Sequence, residues 1–161
     1  MYCIIDIETC SFANGILECA GIKVNKNFEI ISSSSEIEVR TNIEWPVNHI
    51  SGVVRPVGRY SEKEAILILK NFISSDIIVG FNLVFEERWF KKFGFMFVKK
   101  IDLMKEMQSK FSLKKYSLSD CAEIFRIKEI HKHTALGDCL TLYEIMRRLY
   151  GARKTETGIY P

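Results

Sequence analysis

Cys3-Ile4-Ile5-Asp6-Ile7-Glu8-Thr9 is an apolar run with two acids set into it, and its reading decides the fold. In a β-strand, positions two apart share a face, so Asp6 and Glu8 project side by side. Ile4, Ile5 and Ile7 place apolar groups on both faces, the pattern of a central strand in an α/β sheet. Two adjacent carboxylates on such a strand repel each other and lose hydration, and a divalent cation is the simplest way to neutralise them. With all-oxygen donors that cation is magnesium or manganese, not zinc. Taken alone, Asp-x-Glu is a common pair, and a Glu8 that merely ends the strand in solvent is the plainer account of it.

The chain has 161 residues and a formal net charge of +3, so it fits one domain and tolerates a polyanionic partner without demanding one. With 47% hydrophobic and 27% charged residues it reads as globular and soluble. No apolar run approaches membrane-spanning length, which argues against a membrane partner. The first strand begins directly after Met1, leaving no room for a signal peptide. Cys3, Cys10, Cys19, Cys121 and Cys139 form no C-x-x-C pair. Together these features predict a reducing, cytoplasmic setting without structural zinc or disulfides.

Asn14-Gly15 supplies a turn into a second strand, Ile16 to Val24, and Asn25-Lys26-Asn27 turns again. A third strand runs from about Phe28 to Val39, interrupted by the polar run Ser32 to Ser35. Strands joined by turns this short form an antiparallel meander. Ser61-Glu62-Lys63-Glu64 has capping-box spacing and opens a helix with an inward stripe of Ala65, Ile68, Leu69, Phe72 and Ile73. Ile77 to Val79 is a short buried strand. A helix from Val84 turns Trp89, Phe90 and Phe93 inward and stops at Gly94. A further strand lies around Phe97 to Ile101, with Asp102 capping the next helix and Ser117 the one after it. The last helix runs from about Thr134 to Tyr150, and Gly151 ends it. The expected division is one domain over 1–151 and a loose tail over 152–161.

Two more acids stand where acids are costly. Asp138 is followed at helical intervals by Leu142, Ile145 and Leu149, so it starts a core-facing stripe. An acid favoured by the dipole of the first helical turn is the plainer account of it. His133 stands at the loop-to-helix junction, where it is a surface or capping residue, or a general base beside a metal cluster. Glu86 follows the strand Ile77 to Val79, which by topology runs parallel to the first. An acid there reaches the crevice where ligands bind in open α/β sheets. An ordinary helix-start acid, like its neighbour Glu87, is again the alternative.

Taken together these residues resemble the histidine-containing branch of the DEDD superfamily of 3′-to-5′ exonucleases, which includes proofreading epsilon subunits, the ribonuclease T type and oligoribonucleases. The first motif is matched by Ile5-Asp6-Ile7-Glu8-Thr9, the second by Gly80-Phe81-Asn82-Leu83-Val84-Phe85-Glu86, and the third by His133-Thr134-Ala135-Leu136-Gly137-Asp138. His49-Ile50-Ser51-Gly52 is similar to a substrate-side loop of the family, and the likeness spans about residues 2 to 150. The resemblance implies an α/β, ribonuclease H-like fold: a mixed five-stranded sheet, three antiparallel strands then two parallel, flanked by helices. Two departures stand out. The family normally has aspartate at Glu86 and histidine at Phe81.

The resemblance further implies two Mg²⁺ or Mn²⁺ ions held by Asp6, Glu8, Glu86 and Asp138, with His133 taking a proton from the attacking water. It places Thr9, His49, Ile50 and Asn82 beside the terminal nucleotide. Lys91, Lys92, Lys99, Lys100, Lys114 and Lys115 are candidates to guide a phosphate strand, although at least half read as ordinary solvated surface. The expected activity is removal of nucleotides from single-stranded 3′ ends of DNA. The alternatives are a 3′-to-5′ exoribonuclease or oligonucleotide hydrolase, and a degenerate nucleic-acid-binding module weakened by Glu86. A homodimer, or recruitment by a polymerase or another nucleic-acid-processing complex, is compatible with this reading. The end of the chain soon after its last core helix, and the lack of a glutamine-led clamp-binding peptide, favour a stand-alone trimming enzyme or one recruited by its folded surface.

Overall fold

The protein is described by a computed structural model covering residues 1–10, 15–34, 36–39, 58–129, 131 and 133–151. The elements in chain order are β1 (Tyr2–Thr9), β2 (Ile16–Val24), β3 (Ile30–Ser33), β4 (Ile37–Glu38), α1 (Glu62–Ile73), β5 (Ile77–Gly80), α2 (Val84–Lys92), β6 (Lys100–Asp102), α3 (Leu103–Lys110), α4 (Leu118–Ile124) and α5 (Ala135–Met146). A π-helical turn, Arg147–Gly151, follows α5. The sheet order is β3-β2-β1-β5-β6, with β4 also paired to β2. β1 and β2 are antiparallel, whereas β5 is parallel to both β1 and β6. This is the mixed, helix-flanked sheet expected from the sequence.

β1 sits at the centre because its two faces are both apolar. Ile4 joins Ala20, Ile22, Val79, Leu103, Cys139, Leu142 and Ile145 in one core, under α3, α4 and α5. Cys3, Ile5 and Ile7 join Ile66, Leu69, Ile78, Trp89 and Phe90 in the other, under α1 and α2. Asp6 and Glu8 have the parity of Ile4 and therefore face the α5 side.

Three details differ from the sequence reading. The third strand is two strands, because Ser34 Oγ accepts the Gly21 N–H and Ser34 N–H donates to Gly21 O, both at 2.8 Å. A side chain thus takes over part of the ladder and the pairing restarts at Ile37. Ile66 replaces Ile68 on the inward face of α1, leaving Ile68 36% exposed. The helix is apolar on several sides, so its spacing admits two phases, and the sheet selects the one that buries Ile66, a gain of roughly 1.5–3 kcal/mol. The last helix keeps α geometry only to Met146. The expected tail, 152–161, lies outside the described residues.

Candidate active site

The first-motif acids stand at the carboxyl end of β1. Register pairs β1 with β5 only as far as Ile4↔Val79, so Asp6 and Glu8 lie where the parallel pairing has ended. Both are half-buried. Thr9 follows where the β1–β2 register shifts, also half-buried.

Glu86 reaches this end of the sheet through the turn after β5. Gly80 makes that turn fit: a Cβ there would lie 2.5 Å from Leu83 Cδ2 and 3.4 Å from the Ile5 carbonyl oxygen. Asn82 then takes the left-handed conformation, φ 59°, which asparagine tolerates better than most residues. α2 has no side-chain cap of its own at Leu83. Asp102 does that work from β6, accepting the N–H groups of Asn82 at 3.0 Å and Leu83 at 3.2 Å while capping α3 through Met104 N–H at 3.1 Å. Asp102→Ala strands three donors at once. It should lower stability by about 2 kcal/mol, or roughly 4–8 °C in Tm. Asp102→Asn, which keeps one acceptor oxygen, should recover part of that loss in a thermal melt.

α5 delivers the third motif. Thr134 is its N-cap, with Oγ1 accepting the Gly137 N–H at 3.1 Å. His133, immediately before the cap, has φ 64°, a left-handed backbone held there by its surroundings. Ligand atoms of Glu8, His133 and Asp138 all lie within 4.8 Å of one another.

The electrostatics tie the remaining acids to this trio. Burial pushes the Asp6 carboxyl well above its ordinary value, and the charges of Glu86, Glu8 and Asp138 push it further, Glu86 most among them. Glu8 rises from 4.5 to about 7, through burial and then Asp138 and Glu18. Glu86 is 3% exposed and rises from 4.5 to about 8, chiefly through burial; its own backbone N–H opposes the rise, and Asp102 and Glu87 add to it. Glu86 Oε2 is buried with no hydrogen-bond partner among the described residues. A buried carboxylate oxygen without a partner is a donor that fits a hard divalent cation, as are the oxygens of Glu8 and Asp138 beside the His133 ring.

The structure thus brings Glu8, His133 and Asp138 together, with Asp6 on the same face of β1 as Glu8 and Glu86 near enough for its charge to act on Asp6. Asn82 is exposed in the turn before α2. His49 and Ile50 lie outside the described residues. Of the six lysines proposed for the phosphate strand, Lys92 pairs with Glu62 at 2.6 Å and Lys100 with Glu87 at 2.5 Å, which leaves them as surface ion pairs. One acid was missed. Glu18 on β2 is 5% exposed, sits opposite Glu8 in the ladder and accepts the Ala135 N–H. The signal for it was the same one that marked Asp6: an acid inside an apolar strand.

The class follows from these features: a sheet of this topology with carboxylates and an imidazole gathered at the end of its central strand is a nuclease fold with a candidate metal centre. The exonuclease family model of the ribonuclease T type matches residues 3–146, and the chain belongs to that family. No curated protein matches it by sequence at a significant level. Among solved structures it is similar to exonuclease X in complex with 5′-overhanging duplex DNA, at 20% identity and TM-score 0.76, over 97% of this chain and 95% of that one. It is also similar to E. coli exonuclease I with a dT13 oligonucleotide, at 13% identity and TM-score 0.75, covering 95% of this chain and 42% of that one. The zinc-bound form of the E. coli exonuclease I complex with single-stranded DNA matches at 14% identity and TM-score 0.77, over 95% of this chain and 40% of that one. The chain therefore spans about two fifths of the exonuclease I chains, and the likeness at these identities is one of fold. No helix among the described residues is long and apolar enough to cross a membrane.

Proposed function

We propose that this chain is a metal-dependent 3′-to-5′ exonuclease acting on single-stranded 3′ ends of DNA. The observation that carries the reading is the approach of Glu8, His133 and Asp138 to within 4.8 Å, with Asp6 on the same strand face and Glu86 acting on Asp6. DNA is favoured because the similar structures named above are complexes with DNA.

In this reading Asp6 would serve both of two cations, Glu8 and Asp138 would hold one, and Glu86 would help hold the other. Mg²⁺ or Mn²⁺ bound there would supply activation of a water and neutralisation of the leaving oxygen. The protein's own part is to hold carboxylates of like charge together, which its buried helices and strands do. His133 accepts the proton of the attacking water at a ring nitrogen, held next to Glu8 and Asp138 by the turn into α5. Thr9 and Asn82 border the terminal nucleotide, with His49 and Ile50 assigned to its base side.

Glu86 is the departure that tests the assignment. Its charge is among those that raise Asp6, and its Oε2 is buried without a hydrogen-bond partner among the described residues, as suits a fourth acid. Glu86→Ala should lower kcat by on the order of a hundredfold, and Glu86→Asp by less. Full activity in Glu86→Ala would remove Glu86 from the site.

The class is tested by incubating 5′- and 3′-end-labelled single-stranded DNA, duplex DNA with a 3′ overhang, and RNA with Mg²⁺, Mn²⁺ or chelator. A ladder shortening from the 3′ end of DNA, abolished by chelator, is expected. Shortening from the 5′ end, or indifference to chelator, overturns the proposal. Faster loss of RNA reassigns the chain to the exoribonucleases.

A further inference from the structure

We propose that Glu18 is a positioning residue for this site: its carboxylate ties β2 to the first amide of α5 and so fixes His133 and Asp138 against Glu8. The inference rests on the nuclease reading for its catalytic consequence, but not for its structural content.

The geometry is direct. Glu18 stands opposite Glu8 in the β1–β2 ladder, so the two side chains share the face beneath α5. Glu18 Oε1 accepts the N–H of Ala135, the first residue of α5, across 117 positions of sequence. The first amides of a helix have no partner within it. α5 satisfies Gly137 N–H through Thr134 Oγ1, and Asp138 N–H through the Thr134 carbonyl. Ala135 is fully buried, so no water reaches the amide that Glu18 accepts. His133 lies two residues before that amide and Asp138 three after it. A bond at Ala135 therefore holds both ends of the segment that must meet Glu8, including the left-handed backbone of His133.

Glu18 is not one of the converging trio of Glu8, His133 and Asp138. A buried acid facing Glu36, Glu38 and Asp138 is repelled by each of them. It is retained because its side-chain oxygen satisfies the buried first amide of α5, which has no partner within the helix. The role is thus to hold the helix, and the cation-facing groups are held through it.

The test uses the full chain as Glu18→Ala and Glu18→Gln, with Glu8→Gln and Ile73→Ala as comparators. Ile73 is buried in the other core, on the opposite face of the sheet from α5. Amide exchange at Ala135 is read by NMR in the metal-free protein, Mn²⁺ affinity by titration, and kcat and KM on single-stranded DNA. In Glu18→Ala, exchange at Ala135 should quicken roughly tenfold or more. Its Mn²⁺ affinity and kcat should fall by roughly 10–100-fold, with KM unchanged. Glu18→Gln, whose amide oxygen still accepts the bond, should match the parent in all four readings. Ile73→Ala should lower Tm while leaving Mn²⁺ affinity intact. Unchanged exchange and unchanged Mn²⁺ affinity in Glu18→Ala overturn the proposal. Loss of Mn²⁺ binding in Glu18→Gln to the level of Glu8→Gln makes Glu18 a ligand and overturns it too. Should Glu18→Ala fail to fold, Glu18→Gln decides alone. A parent protein that cuts no nucleic acid defeats the nuclease reading, while the exchange and Mn²⁺ readings still judge Glu18.

Discussion

Asp6→Asn should do two opposite things at once: abolish metal-dependent hydrolysis and stabilise the metal-free protein. Asp6 is the acid on which Glu86, Glu8 and Asp138 all act, and burial already disfavours its charge. Asparagine is nearly the same shape, so the packing of β1 survives the change. Without the anion, the repulsion from Glu86, Glu8, Asp138 and Glu18 disappears along with the cost of keeping a charge out of water. A rise in Tm of roughly 2–4 °C, what about 1 kcal/mol is worth in a domain of this size, is expected in chelator. The same anion is the one assigned to both cations, so kcat should fall by on the order of a thousandfold. Thermal melts with chelator and single-turnover assays with Mg²⁺ measure the two effects. If Asp6 were only a structural acceptor, the variant would melt lower and still cut.

That opposition explains which parts of the molecule were legible in the sequence. Asp6 and Glu8 were visible because they violate the apolar pattern around them, and a violation of local preference marks a functional site. Asp138 was visible in the same way, at the head of the stripe Leu142, Ile145, Leu149. Ser61, Asp102 and Ser117 announced their helices through cap chemistry, and each does cap in the structure. What the sequence did not disclose is tertiary. The phase of α1 depends on which of two apolar faces the sheet presents to it. The break between β3 and β4 depends on Ser34 meeting Gly21 across the ladder. Glu18 lies as deep in an apolar run as Asp6, but its meaning comes from an amide 117 residues away, which no local pattern encodes. Asp102 was read as the cap of α3, and its second role, holding the turn before α2, likewise needed the β5–β6 pairing to place it.

The second large effect is on stability against pH. In the folded protein Glu8 titrates near about 7 and Glu86 near about 8, against 4.5 for an ordinary glutamate, and Asp6 and Glu18 are raised as well. Between pH 4.5 and 8 the folded state therefore holds more protons than the unfolded chain. Stability must fall as pH rises through that window. These acids contribute fully below 4.5, and their contribution is lost by the time the pH has passed about 8. From pH 5 to pH 8.5 the chelator-treated protein should lose several kcal/mol, on the order of 10 °C in Tm, with the buried Asp6 and Glu86 carboxyls the main sources. Mg²⁺ or Mn²⁺ should reverse the loss, since a cation replaces the protons that pH removes. At one hundred times its Kd the ion adds about 2.7 kcal/mol. The rescue should be large at pH 8.5 and small at pH 5, where protons compete for the same oxygens. Acids scattered over the surface would give a metal-indifferent Tm that is flat above pH 5. In Asp6→Asn the slope should be shallower and the rescue weaker, because the charge shared between both halves of the cluster has gone, which ties the thermal and the catalytic experiments to one electrostatic cause.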